Sequence, residues 1–206
     1  MKLILSSIAF TFLIPFFVFS QSSLVRNIEV YDNIVNKTFD ELENRIVLAG
    51  SDNLYEVNLG DALDGDDYIL TKLRQRFNRY NMVYGSGYDS VFADVRIDSI
   101  KLNTRYKNIS TSKVLGDKTV DREISVSYYV SLVRKDDGTV LYSEKITESS
   151  KDNFKLDDLN RVESGNYGFL KGSLPEESFM GKYLLPIVLL GASVITIVLF
   201  FVIRSE

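Results

Sequence analysis

The chain contains no cysteine and no histidine, and only three prolines in 206 residues. Without cysteine no disulfide can brace the fold, and no thioether lipid can be attached. An exported domain of this composition therefore folds on core burial alone, and a bacterial lipoprotein is excluded. Without histidine the Ser-His-Asp and Cys-His nucleophile systems are missing, with the usual zinc ligand sets and the common neutral-pH base. Three prolines are too few for a string of linkers. No GxSxG elbow, phosphate loop or dinucleotide fingerprint occurs, and Gly85-Ser86-Gly87 lacks the spacing that would make it more than a turn. Carboxylates remain as a route to hydrolysis. Asp94 with Asp98, and Glu144 with Glu148, pair on paper, but charges alternating along a strand mark a solvated face.

Two apolar stretches frame the chain. Leu3–Phe19 follows the basic Lys2 and reads as a signal peptide over residues 1–20, with Pro15 breaking its helix and Val18 and Ser20 preceding a cleavage point at Gln21. An uncleaved anchor of about 17 residues, at the lower limit for a bilayer crossing, is the alternative. Tyr183–Ile203 carries no charge over 21 residues. As a helix it would extend roughly 31 Å at ~1.5 Å per residue, enough to cross a bilayer. Lys182 and Arg204 bracket it, so a single transmembrane helix at 183–203 is expected, with residues 204–206 as a cytosolic tail and residues 165–182 as an irregular stalk. Ala192 and Thr196 offer a small-residue patch through which a homodimer could form.

Between the stretches lies one domain, residues 21–164. The polar region 21–181 carries 21 basic and 27 acidic residues. That balance disfavours nucleic acid as a partner. Leu24, Ile28, Tyr31, Val35, Leu42 and Ile46 predict a helix over 24–47, stopped at Gly50. Tyr55, Val57 and Leu59 predict a short strand. A second helix, capped by Asp66, carries the stripe Ile69, Leu70, Leu73 and Phe77. A strand over 91–106 changes parity near Ser99, which predicts a bulge there. Ile124, Val126, Tyr128, Val130 and Leu132 alternate with polar residues in a long strand. Asp136-Asp137-Gly138 turns the chain, and Thr139–Thr147 returns as its partner. Leu156, Leu159 and Val162 mark a short third helix behind a cap at Asp152. The expected class is α+β, with helices packed on one face of a mostly antiparallel sheet plus the C-terminal membrane helix.

Two further clusters have plain explanations. Asp61, Asp64, Asp66 and Asp67 surround Gly65, but an EF-hand would need a glutamate where Lys72 stands, so helix capping and dipole compensation account for them. Lys72, Arg76 and Arg79, with Arg74 nearby, form a basic stripe that reads as a solvated helix face, with anionic head groups as the alternative partner.

The stretch from Phe39 through Tyr55 to Tyr80 resembles the helix–strand–helix of the CsgG and TolB N-terminal type. Asp94-Val95-Arg96-Ile97-Asp98-Ser99-Ile100, with the hairpin after it, is similar to LptE-like assembly proteins. The likeness spans residues 28–162 as an order of elements. It implies a non-enzymatic accessory that docks on an envelope machine. No cofactor or metal is expected, and the partners expected are the lipid bilayer and an envelope protein. Asp94, Arg96 and Asp98 are the candidate interaction face. A ligand sensor with a pocket lined by Tyr84, Tyr88 and Phe92 is the first alternative, and a carboxylate hydrolase the second.

Overall fold

The computed structural model describes residues 24–60, 65–85, 87–88, 90–111, 117–176 and 179–204. The expected signal peptide, and Asp61 and Asp64 of the acidic run, lie outside them.

Helix α1 spans Asn27–Gly50 and buries the stripe Tyr31, Val35, Phe39, Leu42 and Ile46 completely. Gly50 ends it at φ +115°, a conformation that a β-carbon disfavours. The side chain of Asn53 then donates to the Ala49 carbonyl, and Tyr55 Oη donates to the Gly50 carbonyl. Strand β1 follows at Tyr55–Leu59, and α2 runs from Asp66 to Arg76. Gly65, rather than Asp66, occupies the N-cap of α2, while Asp66 and Asp67 fill its first turn, where the helix dipole favours negative charge.

Five strands form one sheet in the order β2-β1-β3-β4-β5. Strand β2, Met82–Tyr84, has no sequence signature because three half-buried residues carry no period, and it pairs parallel with β1. Strand β3, Ala93–Thr111, is parallel to β1 and antiparallel to β4, Lys118–Arg134. Strand β5, Val140–Lys155, pairs antiparallel with β4. The sheet is thus mixed, with three long antiparallel strands and a short parallel side.

The bulge falls where the parity change places it. Pairing of β3 with β4 slips between Asp98 and Lys101, and Ser99 takes φ +56°. Beyond it Thr104 and Tyr106 face the core, as Val95 and Ile97 do before it. The hairpin turn also forms as expected, with Gly138 at φ +70° and Asp137 accepting from the Thr139 amide.

Two more expectations need correction. Strand β5 continues to Lys155, eight residues past Thr147, so Asp152 is a strand residue and caps no helix. A 3-10 turn, Leu156–Asp158, leads instead into the four-residue α3, Leu159–Val162. Residues 165–172, read as the start of a stalk, are a strap docked on the domain. Phe169 and Leu170 are core residues, fixed by contacts from elements distant in sequence.

The C-terminal apolar stretch is helical: α4 spans Phe179–Arg204, with Pro186 inside it. Among the described residues no helix is long and apolar enough to cross a membrane. The described side chains of α4 form an unbroken run only over 186–202. Every side chain in it is exposed.

Candidate interaction face

The sheet has one covered and one open face. Helices α1 and α2 and the strap pack on the side carrying Val57, Val95, Ile97, Ile124, Val126, Tyr128 and Val130. On the other side β4 presents Ser125, Ser127, Tyr129 and Ser131, and β5 presents Ser143, Lys145, Thr147 and Ser149. Arg96, Lys101, Asn103 and Tyr129 on this side are exposed. Hydroxyls line the middle of β4 and β5 and charged side chains surround them, and Lys145 Nζ sits 5.7 Å from the centroid of the Tyr129 ring.

Asp94, Arg96 and Asp98 lie together on this open side, at the register positions opposite Val133, Ser131 and Tyr129. Their surroundings differ. Asp94 Oδ1 accepts from Asn58 Nδ2 at 3.0 Å and lies 4.0 Å from Lys135 Nζ. Lys135 in turn donates to Glu56 at 2.8 Å, and Glu56 is 1% exposed. That hydrogen bond, with a second from Asn58, holds the Glu56 carboxyl below its ordinary value. Asp98 packs over Gly60, where a β-carbon would collide with its carboxylate. Arg96 is the freely presented charge of the three.

Of the alternative sites, the aromatic pocket is not assembled, and the Glu144 and Glu148 carboxylates each have a partner of their own. Glu144 accepts from Tyr142 Oη at 2.9 Å, whereas Glu148 is bridged by Lys37 at 2.9 Å. Tyr84 lies under Arg74, Phe92 stands edge-on to Tyr55, and Tyr88 is half exposed, so the three aromatic residues have separate neighbours. Glu144 and Glu148 nevertheless line one shallow cavity of about 310 Å³, between α1 and the free edge of β5, with Lys37, Thr38, Glu41 and Tyr142. No cluster of three metal-ligating side chains occurs among the described residues.

The basic stripe on and beyond α2 reaches solvent at Arg74 and Arg79, but three of its four cations are paired with carboxylates. Lys72 pairs with Asp32 at 2.7 Å, Arg76 with Asp40 and Glu43 at 2.6 Å each, and Arg79 with Glu43. Sequence reading misses this because the acidic partners come from α1, over thirty residues away. Burial would raise the Glu43 carboxyl, but donors from Arg76, Tyr80 and Arg79 outweigh it and hold it below its ordinary value.

A second polar network lies under the strap. Arg122, 2% exposed, forms a two-pronged contact with Asp152 and donates to Asn27 Oδ1 at 2.7 Å and to the Val25 carbonyl at 3.0 Å. Asn27 Nδ2 donates to Tyr106 Oη at 3.0 Å and to the Leu170 carbonyl at 2.6 Å. Glu163 accepts from Tyr106 Oη at 2.9 Å and from the Gly172 amide at 2.8 Å.

No protein-family model and no curated protein matches this chain. Among solved structures, a neuraminyllactose-binding hemagglutinin homolog from Helicobacter pylori is similar at 12% identity and a TM-score of 0.33, covering 53% of this chain and 68% of that one. Rare lipoprotein B from Shewanella oneidensis is similar at 12% identity and a TM-score of 0.30, covering 50% of this chain and 69% of that one. Likeness of this strength carries no activity, ligand or partner over to this chain.

Proposed function

We propose that this protein is a non-enzymatic interaction module of the cell envelope, tethered to a membrane with its main domain extracytoplasmic, which presents the open face of its sheet to a second envelope protein. The observation that carries this reading is the one-sidedness of the sheet. Helices and strap cover one face, while the other leaves Arg96 and Tyr129 exposed beside rows of hydroxyls. Arginine and tyrosine are the side chains that anchor protein interfaces, and a flat polar surround supplies the rim.

The location rests on the two apolar stretches. Tyr183–Ile203 supplies 21 uncharged residues within α4, a length that on the full sequence suits a bilayer span, and Leu3–Phe19 supplies an export signal. In a Gram-negative host the domain would be periplasmic. The small-residue pair Ala192 and Thr196 would allow a homodimer through the span.

Cross-linking the full-length protein in its own membrane, with partners identified by mass spectrometry, tests the reading. Replacing Asp94, Arg96 and Asp98 together by alanine is expected to reduce recovery of the partner at least tenfold with the fold retained by circular dichroism. Recovery left intact would move the interface elsewhere, with the free edge of β5 next in line. Turnover by the purified protein that disappears with a single Asp or Glu substitution would overturn the non-enzymatic reading.

A further inference from the structure

The two ends of the folded domain lie together at one pole. The N-terminal side enters at Leu24, which packs against the cluster of Tyr106, Val120, Phe154 and Val162. The Val25 carbonyl is held by Arg122. The C-terminal side leaves at Gly172, whose amide is held by Glu163. Gly172 lies against the Tyr106 ring so closely that a β-carbon there would come within 2.8 Å of it. Asn27 joins the two sides directly through the Leu170 carbonyl. We infer that this end, where β3 and β5 finish and β4 begins, is the pole of the domain that faces the lipid surface, and that the Asn27–Arg122–Tyr106–Glu163 network holds the domain upright on it. The inference rests on the tethered reading proposed above.

Three further observations support it. The strap cannot swing freely, because Tyr167 stacks on Phe169 at 5.1 Å and Phe169 meets Tyr31 and Tyr68 edge-on or tilted at 4.9 and 5.3 Å. From Gly172 to Phe179 the chain can extend at most about 24 Å, at ~3.4 Å per residue. Tyr106 to Thr111, the described end of β3, covers roughly 17 Å at ~3.3 Å per residue, so the strand ends can rest on the lipid surface without entering it. Three lysines at this pole are already paired: Lys107 and Lys151 both bridge Glu123, and Lys155 bridges Asp117. With these three neutralised, the cations left exposed near the lipid among the described residues are Arg105 and Lys171, so the contact is set chiefly by the tether.

A chain without cysteine accepts single-cysteine labelling cleanly. Full-length protein in phosphatidylcholine nanodiscs, labelled at Asn108→Cys or at Asp137→Cys, would report distance to lipid through quenching by a nickel-chelating head group. Asn108, on β3 beside Asp121, and Asp137, in the turn after β4, are separated by residues 121–134 of β4, roughly 43 Å at ~3.3 Å per residue. Quenching at 108 is expected to exceed that at 137 at least fivefold, and to change less than twofold when a third of the lipid is made anionic. Equal or reversed quenching in protein that floats with lipid overturns this inference alone. Failure to float with lipid overturns the tether and this inference together. Tyr106→Phe keeps the ring but removes the hydroxyl joining Asn27 to Glu163. With the circular dichroism spectrum unchanged, it should at least halve the contrast between the two labels, and an undiminished contrast would remove the network from the proposal.

Discussion

Glu43 lies at the centre of the α1–α2 contact with one tenth of its side chain exposed, and it accepts from Arg76, Arg79 and Tyr80. Its carboxyl titrates lower in the folded chain than in the unfolded one. A lowered carboxylate adds stability above its unfolded value, near 4.5, and that contribution is lost as pH falls through the folded value. At pH 7 Glu43→Gln should cost about 1.5–3 kcal/mol, the range for hydrogen bonds to a charged group. The gap between variant and parent should close as pH falls below about 4.5. Urea unfolding at several pH values measures it, and a gap that stays constant down to pH 3 would exclude Glu43 as the titrating group. The sequence shows the stripe of cations but not their partners, because no local pattern links α2 to residues 32, 40 and 43. The candidate face has the same division. Alternation puts Asp94, Arg96 and Asp98 on one side, yet the contacts that engage Asp94 and confine Asp98 come from Asn58, Lys135 and Gly60.

At the scale of elements, parity is the legible signal. Apolar residues at every second position of β4 define its buried face, and the break in that rhythm at Ser99 locates the bulge in β3. Val126 and Val130 are at most 1% exposed, so Val→Asp at either site should cost several kcal/mol by enclosing a carboxylate with no partner. Ser127→Asp on the open face should stay within about 0.5 kcal/mol. Comparable losses at both parities, read by thermal unfolding, would mean that the open face is covered in the native protein. The second half of β5 is illegible because an edge strand needs little apolar content. From Thr147 to Asn153 every residue is polar, and in this half of the strand only Phe154 is buried.

Over the whole molecule, the boundary between domain and tether is the point that sequence reading misplaces. A strap of Gly, Tyr, Phe and Leu has no period, and its burial depends on contacts with α1, α2 and β3. Ending the chain after residue 176 should therefore leave the domain folded, with a melting temperature within a few degrees of the parent. Ending it after residue 164 removes Phe169 and Leu170 from the core, and burial of such side chains contributes roughly 1.5–3 kcal/mol each. The shorter fragment should melt well below the longer one, and equal melting temperatures would return the strap to the status of a linker.

The direction of the strands has a mechanical consequence. Strand β5 runs along β4 from Val140 to Lys155 and passes through the turn at 156–158 toward the strap and α4. If a partner grips the open face while the membrane holds α4, tension between them acts along β5. Its backbone hydrogen bonds to β4 then bear the load together, in shear, instead of opening one after another as a zipper would. Once the strap is stripped, the domain should resist extension along this axis far better than a pull across the sheet.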